Sequence, residues 1–401
     1  MSRTGFSLRQ MLEAGACTRC RLCAEVCPAA SAAASGGLAP LTRLRGVETL
    51  LLRDRTLLAK LLRRRPPEAA ALERFAEDAF RCTLCGRCES VCPLGIRLKE
   101  LWTTLRGELV QGKHFPARIE AIRRNLEGSR NVFGEDNAER AEWVEEMRRP
   151  PEHGFRKEQA EVVYFTGCVA AYFPLAQKIP IAFAEILEAA GVDFTLLGEE
   201  EWCCGFPMLG AGLMEMFAAF REHNLSAAAA RGAKAAVFAC PSCYRMWREH
   251  YGADLALFSA PEMLLSLVRA GRLPLQELSL TVTYHDPCDL GRGAGVYEAP
   301  REILRAIPGI RLVELAHHRE ECLCCGGGGN LEMVDPELAA RIAAAKIEEV
   351  LATGARAVVT ACQQCVRVMT SHVRRNRVPL EVLDIVQLLR RALAGPKRPP
   401  G

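Results

Sequence analysis

The sequence of 401 residues has no apolar run near the length of about 20 that a membrane-spanning helix requires. The alanine-rich stretch from Ser226 to Ala239 is short and is broken by Arg231 and Lys234. Residues Met1 to Leu12 have no apolar core of the length found in secretory signal peptides. We therefore expect a cytoplasmic protein without a transmembrane segment of its own, which reaches the cytoplasmic face of a membrane only through a partner.

Fingerprints of nucleotide cofactors are also lacking. No G-x-G-x-x-G motif follows a strand and opens a helix, and the glycine run Gly326 to Gly329 has no lysine after it, as a phosphate-binding loop would. A flavin, if one is used, must come from a partner chain. The net charge is +4, and the local cluster Arg63 to Arg65 has no interleaved aromatic residues, so we expect no nucleic-acid partner.

Cysteine, in contrast, is abundant, with 19 residues of which 18 fall into four spaced sets. The first two sets each spell C-x2-C-x2-C-x3-C-P, the spacing typical of proteins that bind two [4Fe-4S] clusters. These sets are Cys17, Cys20, Cys23 and Cys27 before Pro28, and Cys82, Cys85, Cys88 and Cys92 before Pro93. Proline bends the chain away after each fourth cysteine, which therefore reaches the other cluster.

This spacing predicts two cubane clusters that exchange their fourth ligands. One would be held by Cys17, Cys20, Cys23 and Cys92, and the other by Cys82, Cys85, Cys88 and Cys27. Zinc sites are the alternative, but they pair two C-x2-C units over a gap and do not use four cysteines in one turn. Disulfides would need an oxidising compartment. The eight cysteines are therefore assigned to iron.

The N-terminal part is expected to be all-helical, because leucines recur on one face between the two motifs, at Leu50, Leu51, Leu57, Leu58, Leu61 and Leu62. From residue 160 onward, short apolar runs alternate with amphipathic segments, which is typical of α/β modules with parallel sheets. The predicted strands are 162–165, 194–197, 235–239, 280–284, 310–315 and 357–360. The predicted domains are a helical ferredoxin-type domain (1–112), a linker (113–159), two α/β modules (160–278 and 279–392) and a disordered tail (393–401).

The two α/β modules are predicted to be tandem and pseudo-symmetric, because five cysteines recur at offsets of 120 to 122 residues. The first module has Cys168, Cys203, Cys204, Cys240 and Cys243, and the second has Cys288, Cys324, Cys325, Cys362 and Cys365. Cys240 follows a predicted strand directly, and Cys362 follows another after one residue. Because α/β folds bind ligands at the carboxyl ends of their strands, the five cysteines of each module are expected to form one site.

These residues resemble the cysteine-rich CCG domain of heterodisulfide reductases, present twice. With the ferredoxin motifs in front, the whole chain resembles the D subunit of heterodisulfide reductases. The same architecture occurs in the iron–sulfur subunits of glycolate oxidase, anaerobic glycerol-3-phosphate dehydrogenase and lactate-utilisation complexes. The resemblance implies a further [4Fe-4S] cluster of the noncubane type in each five-cysteine set. An ordinary cubane in one module, or buried free thiols, are the alternatives.

Four residues are candidates for the catalytic chemistry. Cys204 and Cys325, from the two double cysteines, are predicted to be needed for cleavage of a disulfide. His285 and Asp286, just before Cys288, could supply protons or a hydrogen bond to the second cluster, or they could be turn residues. Arg292 could receive an anionic group or be an ordinary surface residue, and Cys322, which has no counterpart in the first module, is expected to have no role.

Two functions are consistent with this pattern. In the first, electrons pass through the ferredoxin clusters to the paired CCG clusters, where a disulfide is reduced. In the second, the chain is an electron-transfer subunit that passes electrons from a flavoprotein dehydrogenase of glycolate, lactate or glycerol 3-phosphate to quinone or another carrier. The expected partners are a flavoprotein subunit, a membrane cytochrome or a quinone-reducing protein. The residues around His285 and Cys288 favour the heterodisulfide reductase branch.

Overall fold

The computed structural model describes residues 5–33, 36–52 and 68–393. The chain forms two compact units, each built from several segments. The ferredoxin unit consists of Met1–Arg123, Pro207–Met216 and Gly326–Ala343. The CCG unit consists of Arg124–Phe206, Phe217–Cys325 and Ala344–Gly401. Two short segments that follow the double cysteines of the α/β modules therefore belong to the ferredoxin unit.

The described residues of the N-terminal segment of the ferredoxin unit form helices and loops without a strand, which agrees with the prediction of an all-helical domain. Its α-helices are Leu8–Gly15, Leu22–Glu25, Pro28–Ala32, Pro40–Gly46, Ala69–Phe80, Arg87–Ser90, Leu98–Gln111 and the start of Ala117–Ser129, with a 3-10 turn at Gly36–Leu38 and a π-helix at Val47–Leu52. The helix Leu98–Gln111 buries Leu101, Trp102 and Leu105, because apolar residues recur there every three or four positions. Of the leucines predicted to be helical, Leu57, Leu58, Leu61 and Leu62 lie outside the described residues.

Residues 113–159, which the sequence predicts as a linker, contain the helix Ala117–Ser129 and a 3-10 helix, Asn137–Val144. Ile119, Ile122 and Leu126 are completely buried along one face of the first helix. Their spacing of three and four residues is that of an amphipathic helix. The polar composition of this segment therefore reflects the exposed face of a helix.

The CCG unit contains two four-stranded parallel sheets, with the orders β2-β1-β3-β4 and β6-β5-β7-β8. The strands are β1 (Val162–Phe165), β2 (Phe194–Leu196), β3 (Ala235–Phe238), β4 (Ala256–Ser259), β5 (Leu280–His285), β6 (Ile310–Leu312), β7 (Ala357–Thr360) and β8 (Glu381–Asp384). The strand order is the same in both sheets, which confirms the prediction of two pseudo-symmetric α/β modules. The six predicted strands are present, and β4 and β8 are additional edge strands.

Helices connect the strands of each module. They are Cys168–Tyr172, Lys178–Ala189, Phe206–Ala211, Phe217–Ala230, Pro241–Met246, Ala260–Arg269, Glu298–Ala306, Leu331–Val334, Pro336–Leu351, Gln363–Arg375 and Ile385–Ala392, with 3-10 turns at Gly198–Glu200, Met214–Met216 and Arg319–Glu321 and a π-helix at Trp247–Tyr251. None of the helices in the described residues is long and apolar enough to cross a membrane. Because all strands of a sheet are parallel, the loops that follow them meet at one edge.

Candidate functional site

The eight ferredoxin cysteines line two cavities of the ferredoxin unit. Cys17, Cys20, Cys23 and Cys92 line the first, together with Pro40 and Leu44. Cys27, Cys82, Cys85 and Cys88 line the second, together with Trp102 and Lys99. The structure thus brings the fourth cysteine of each motif to the first three of the other motif. This is the grouping that the cysteine spacing predicts.

Both cysteine loops adopt left-handed backbone conformations at the same two positions, just before and just after the second cysteine. The residues are Arg19 (φ 60°) and Arg21 (φ 71°) in one loop, and Leu84 (φ 53°) and Gly86 (φ 75°) in the other. Only one of the four is glycine, so the other three conformations are costly and must be held by the surrounding structure. Such alternation turns main-chain N–H groups toward a common centre, which suits a bound anionic group.

Burial makes some of the thiols of these sets resist ionisation. Burial raises the pKa of Cys27 to about 11, and the neighbouring Cys82 adds to the rise. Burial and the neighbouring Cys17 likewise raise the pKa of Cys23 to about 11. Four clustered thiols become thiolates when a cation is bound, so metal binding here releases protons. A donor set of four sulfurs around one cavity fits a [4Fe-4S] cluster.

The five-cysteine set of the first module is entirely buried. Its members are Cys168, Cys203, Cys204, Cys240 and Cys243. Gly167, before the first of them, has φ 81°, and a Cβ atom at this position would lie 3.2 Å from Sγ of Cys243. Glycine is therefore required where the chain passes over the sulfurs.

A buried arginine faces the first sulfur of this set. Nη2 of Arg140 donates a hydrogen bond to Sγ of Cys168 at 3.3 Å, and Nε of Arg140 lies 2.9 Å from Oε1 of Glu201. Glu201 in turn accepts hydrogen bonds from the main-chain N–H groups of Thr166 and Gly167 at 2.7 and 2.8 Å. The contact with Cys203 and burial raise the pKa of Cys168, and the positive charge of Arg140 opposes this rise. The sequence did not reveal this role, because Arg140 lies in the predicted linker and belongs to no motif.

In the second module, Cys325, Cys362 and Cys365 lie in one buried cluster, but the set is partly open. Cys324, Cys325, Cys362 and Cys365 are buried, whereas Cys288 is half-buried. The sulfurs of Cys325 and Cys365 are 3.2 Å apart. A ring nitrogen of His285 lies within 4.8 Å of both sulfurs, so the structure places this predicted residue at the set.

Cys322 belongs to a buried polar chain beside the second set, although the sequence suggested no role for it. Its sulfur lies 3.3 Å from Nδ1 of His285 and 3.6 Å from Nζ of Lys346. Lys346 is paired with Glu349 at 2.8 Å, and Glu349 lies 2.8 Å from Nδ1 of His317, whose side chain is 45% exposed. Burial alone would raise the pKa of Cys322, but Lys346 and His285 lower it to about 7.

Asp286 is engaged in a buried ion pair with Arg301. The two carboxylate oxygens accept hydrogen bonds from Nη1 and Nη2 of Arg301 at 2.7 and 2.9 Å. Arg301 also binds Glu314, and Asp286 accepts a further hydrogen bond from the main chain of Arg319. Burial would raise the pKa of Asp286, but Arg301 outweighs it and the pKa is lowered. Asp286 is therefore a stable anion.

Arg292, considered as a receptor for an anionic group, donates from Nη1 to the main-chain carbonyl oxygens of Glu320 and Cys322, both at 2.9 Å. These bonds tie the loop after Cys288 to the segment that leads into Cys324. The guanidinium thus has a structural role in the second module.

The two five-cysteine sets are neighbours within the CCG unit. Gln363, next to Cys362, donates from its buried amide to the carbonyl oxygen of Thr166 at 2.9 Å. Asp289, next to Cys288, accepts hydrogen bonds from Ser242 at 2.8 Å and from Arg245 at 3.1 Å. Residues adjacent to the cysteines of one module therefore contact residues adjacent to the cysteines of the other.

Comparison with known proteins identifies the same two kinds of domain in this chain. The cysteine-rich CCG domain matches residues 162–248 and 282–370, and a 4Fe-4S dicluster domain matches residues 13–96. The D subunit of dihydromethanophenazine:CoB–CoM heterodisulfide reductase from Methanosarcina mazei is 35% identical over 398 residues, which cover 96% of this chain and 95% of the relative. The chain belongs to the family of heterodisulfide reductase D subunits.

Two more distant relatives of this chain are named as oxidoreductases. The probable iron-sulfur-binding oxidoreductase FadF of Bacillus subtilis is 32% identical over 332 residues, covering 80% of this chain and 47% of FadF. EtfAB:quinone oxidoreductase of Syntrophomonas wolfei is 27% identical over 429 residues, covering 97% of this chain and 59% of the relative. The protein is thus an iron–sulfur oxidoreductase with a ferredoxin-type domain and two CCG domains.

Proposed function

We propose that the protein reduces a disulfide at its paired CCG sites, with electrons that enter through the ferredoxin sites. The reaction would take R–S–S–R′, two electrons and two protons to RSH and R′SH. The observation that carries this proposal is the adjacency of the two five-cysteine sets, which Gln363 and Thr166 link directly. Two neighbouring one-electron centres suit a reaction that needs two electrons and separates two sulfurs.

The proposed cofactors are four [4Fe-4S] clusters. The two cubanes would be held by Cys17, Cys20, Cys23 and Cys92 and by Cys82, Cys85, Cys88 and Cys27. The two noncubane clusters would be held by Cys168, Cys203, Cys204, Cys240 and Cys243 and by Cys288, Cys324, Cys325, Cys362 and Cys365. Each set offers five cysteines, one more than the four that a cubane uses, which supports the noncubane type. Each cluster would supply one electron at a time.

Among the residues proposed for chemistry, Cys204 and Cys325 remain the candidates for direct action at the disulfide. His285 is the proposed proton donor at the second site, because its ring lies within 4.8 Å of the sulfurs of Cys325 and Cys365. Asp286 is next to it in sequence but is taken up by Arg301. We therefore assign to Asp286 the role of fixing the end of β5, which positions His285.

The alternative function is electron transfer without disulfide chemistry, and the relative named EtfAB:quinone oxidoreductase favours it. In that case a flavoprotein would deliver electrons, and quinone or another carrier would receive them. In either case the proposed partners are a flavoprotein subunit, a membrane cytochrome or a quinone-reducing protein. Reduced cysteine ligands fit the cytoplasm, with attachment to a membrane through such a partner.

Stopped-flow measurement of the anaerobically reduced protein distinguishes the two functions. Mixing with a panel of disulfides should oxidise the wild-type protein, because the CCG sites would pass two electrons to the S–S bond. Cys325→Ser should abolish this oxidation, while an artificial dye still reduces the ferredoxin sites. Cys85→Ser is the matched control, because it removes a ferredoxin ligand and leaves the CCG set complete. No acceleration by any disulfide, with rapid electron uptake from a reduced flavoprotein, would favour electron transfer instead.

A further inference from the structure

The guanidinium of Arg106 is completely buried in the ferredoxin unit, and each of its hydrogen bonds goes to a main-chain carbonyl oxygen. Nε donates to Ala79 at 3.1 Å, Nη2 to Phe80 and Cys82 at 3.0 and 2.8 Å, and Nη1 to Gly210 and Gly329 at 2.5 and 2.8 Å. The guanidinium carbon also lies 5.0 Å from the centre of the Phe80 ring. The side chain thus ties together three segments of the ferredoxin unit.

Arg106 has no carboxylate partner among the residues that the structure describes. Two other buried arginines do, since Arg140 is paired with Glu201 and Arg301 with Asp286, whereas the buried Arg43 donates to the carbonyl oxygen of Asp78. Burial lowers the pKa of Arg106 to about 10, with Cys82 acting in the opposite direction. Carbonyl oxygens satisfy the hydrogen bonds of a guanidinium, but they do not cancel its charge, and an uncompensated buried charge is costly. The counter-charge must therefore come from another group in the ferredoxin unit.

Among the negative groups, the thiolate of Cys82 acts on the charge of Arg106. Nη2 of Arg106 binds the carbonyl oxygen of this cysteine, which lines the same cavity as Cys27, Cys85 and Cys88. A [4Fe-4S] cluster with four thiolates is an anion, and it gains one further negative charge when it is reduced. A fixed cation beside it stabilises the reduced form more than the oxidised form, which raises its reduction potential.

The same side chain fixes the backbone around Cys82. A Cβ atom at Gly329 would lie 2.3 Å from the carbonyl oxygen of Cys82, and one at Gly328 would lie 2.4 Å from that of Thr83. Because Arg106 donates to both Cys82 and Gly329, it holds the cysteine turn against the glycine run. In the sequence, this run follows Cys325 directly.

We propose that Arg106 is a positioning residue that supplies a positive charge to the cluster of Cys27, Cys82, Cys85 and Cys88, in addition to Arg43, which lines the same cavity, and raises the reduction potential of that cluster. The charge makes this cluster a better electron acceptor than it would be without Arg106. The inference rests on the proposed [4Fe-4S] clusters, but it does not depend on whether the protein reduces disulfides.

The test is an anaerobic redox titration of the full chain, followed by electron paramagnetic resonance, of the wild type, Arg106→Met and Arg106→Lys. In Arg106→Met, the ratio of reduced to oxidised cluster at a fixed potential should fall at least tenfold, which corresponds to 59 mV for a one-electron couple. Arg106→Lys keeps the charge and should stay within threefold of the wild type. The signal of the cluster of Cys17, Cys20, Cys23 and Cys92 should be unchanged in both variants.

Arg81→Met is the matched control. Arg81 precedes Cys82 directly, but its side chain is 30% exposed and forms an ion pair with Asp335 at 2.8 Å. Solvent and the carboxylate screen its charge, so the ratio should change less than threefold.

Several results would overturn the inference. A wild-type potential in Arg106→Met would refute it, and so would an equal shift in Arg81→Met. If Arg106→Met loses its clusters, Arg106→Lys becomes the deciding variant. A tenfold fall in the ratio of reduced to oxidised cluster in Arg106→Lys, which keeps the charge, would show that the charge is not the cause. These results leave the proposed function intact. A wild-type protein without [4Fe-4S] clusters would overturn both proposals.

Discussion

At the scale of single residues, buried ion pairs place a positive charge beside a cysteine sulfur. Lys346 is completely buried, with its ammonium group 3.6 Å from Sγ of Cys322 and 2.8 Å from Glu349. The carboxylate compensates the ammonium charge and fixes its position, so the charge can act on Cys322. Arg140 and Glu201 have the same relation to Cys168 in the first module.

Glu349→Gln should destabilise the protein by about 3 kcal/mol at pH 7, because it leaves the buried ammonium group of Lys346 without its carboxylate. Burial would raise the pKa of Glu349, but Lys346 and the other partners lower it below its ordinary value of 4.5. The stabilisation is therefore present above pH 4.5 and is lost as the pH falls through the lowered pKa. Thermal unfolding of the cluster-loaded protein, measured anaerobically across this range, should show the difference from wild type shrinking only in acid.

Glu348→Gln is the control for this variant, because Glu348 is the adjacent residue on the same helix and is exposed. Its unfolding temperature should match that of the wild type. An equal loss in both variants, or a difference that persists unchanged below the pKa of Glu349, would contradict the assigned pair.

The spacing of cysteines predicts the groups that the structure brings together, because a cluster requires sulfurs at fixed separations along the chain. The charged residues around them could not be predicted in this way. Arg106, Arg140 and Lys346 belong to no sequence motif, and their burial follows from tertiary packing. The sequence predicts no role for Cys322, because it lies outside the repeat. Its contacts with His285 and Lys346 nevertheless place it beside the second set.

At the scale of elements, the glycine run after the second double cysteine shows what close packing demands. Gly329→Ala should cost about 3 kcal/mol, since φ is +62° and the new Cβ would lie 2.3 Å from the carbonyl oxygen of Cys82. Gly354→Ala is the control, because φ is +67° there but no atom lies within 4 Å of the new Cβ. It should cost only the backbone term of roughly 1–2 kcal/mol.

Thermal unfolding of both alanine variants measures these costs, and the resonance signal of the cluster of Cys82 reports on the turn. We expect that signal to change only in Gly329→Ala. Equal unfolding temperatures for the two variants would mean that the contact with Cys82 adds nothing to the backbone strain.

The strands show which elements can be predicted from the sequence. The central strands β1, β3 and β7 are buried at every position, so they appear as continuous apolar runs. The edge strands β4 and β8 each begin at an exposed residue and are buried only toward their ends. Their apolar runs are short, three residues in β4 and two in β8, and the sequence does not predict them. The sequence also does not predict the helix Ala117–Ser129, because its apolar residues form a narrow buried face within a polar segment.

At the scale of the whole molecule, the pseudo-symmetry of the two modules covers the backbone but not the surroundings of the sulfurs. Cys168 is buried and faces Arg140, whereas its counterpart Cys288 is half-buried. His285 and Cys322 occur only beside the second set. The two sites share a strand order, but the charge and the access to solvent around them differ.

Protein made anaerobically should contain about 16 iron and about 16 acid-labile sulfide per chain, because each of the four cysteine sets has enough ligands for one [4Fe-4S] cluster. Chemical analysis of iron, sulfide and zinc measures this directly. Cys85→Ser should lower the iron content by about four and leave the CCG signals in place. Eight irons or fewer, together with tightly bound zinc, would contradict the assignment of four clusters.

The discontinuity of the ferredoxin unit sets an order of events during synthesis. Its first segment ends at Arg123, but its last segment ends at Ala343. At roughly 5–20 residues per second, the ribosome needs on the order of ten seconds or more to make the chain in between. Until then, Arg106 lacks the carbonyl oxygens of Gly210 and Gly329. The nascent ferredoxin segment therefore leaves the ribosome incomplete, and only the later part of the same polypeptide closes it.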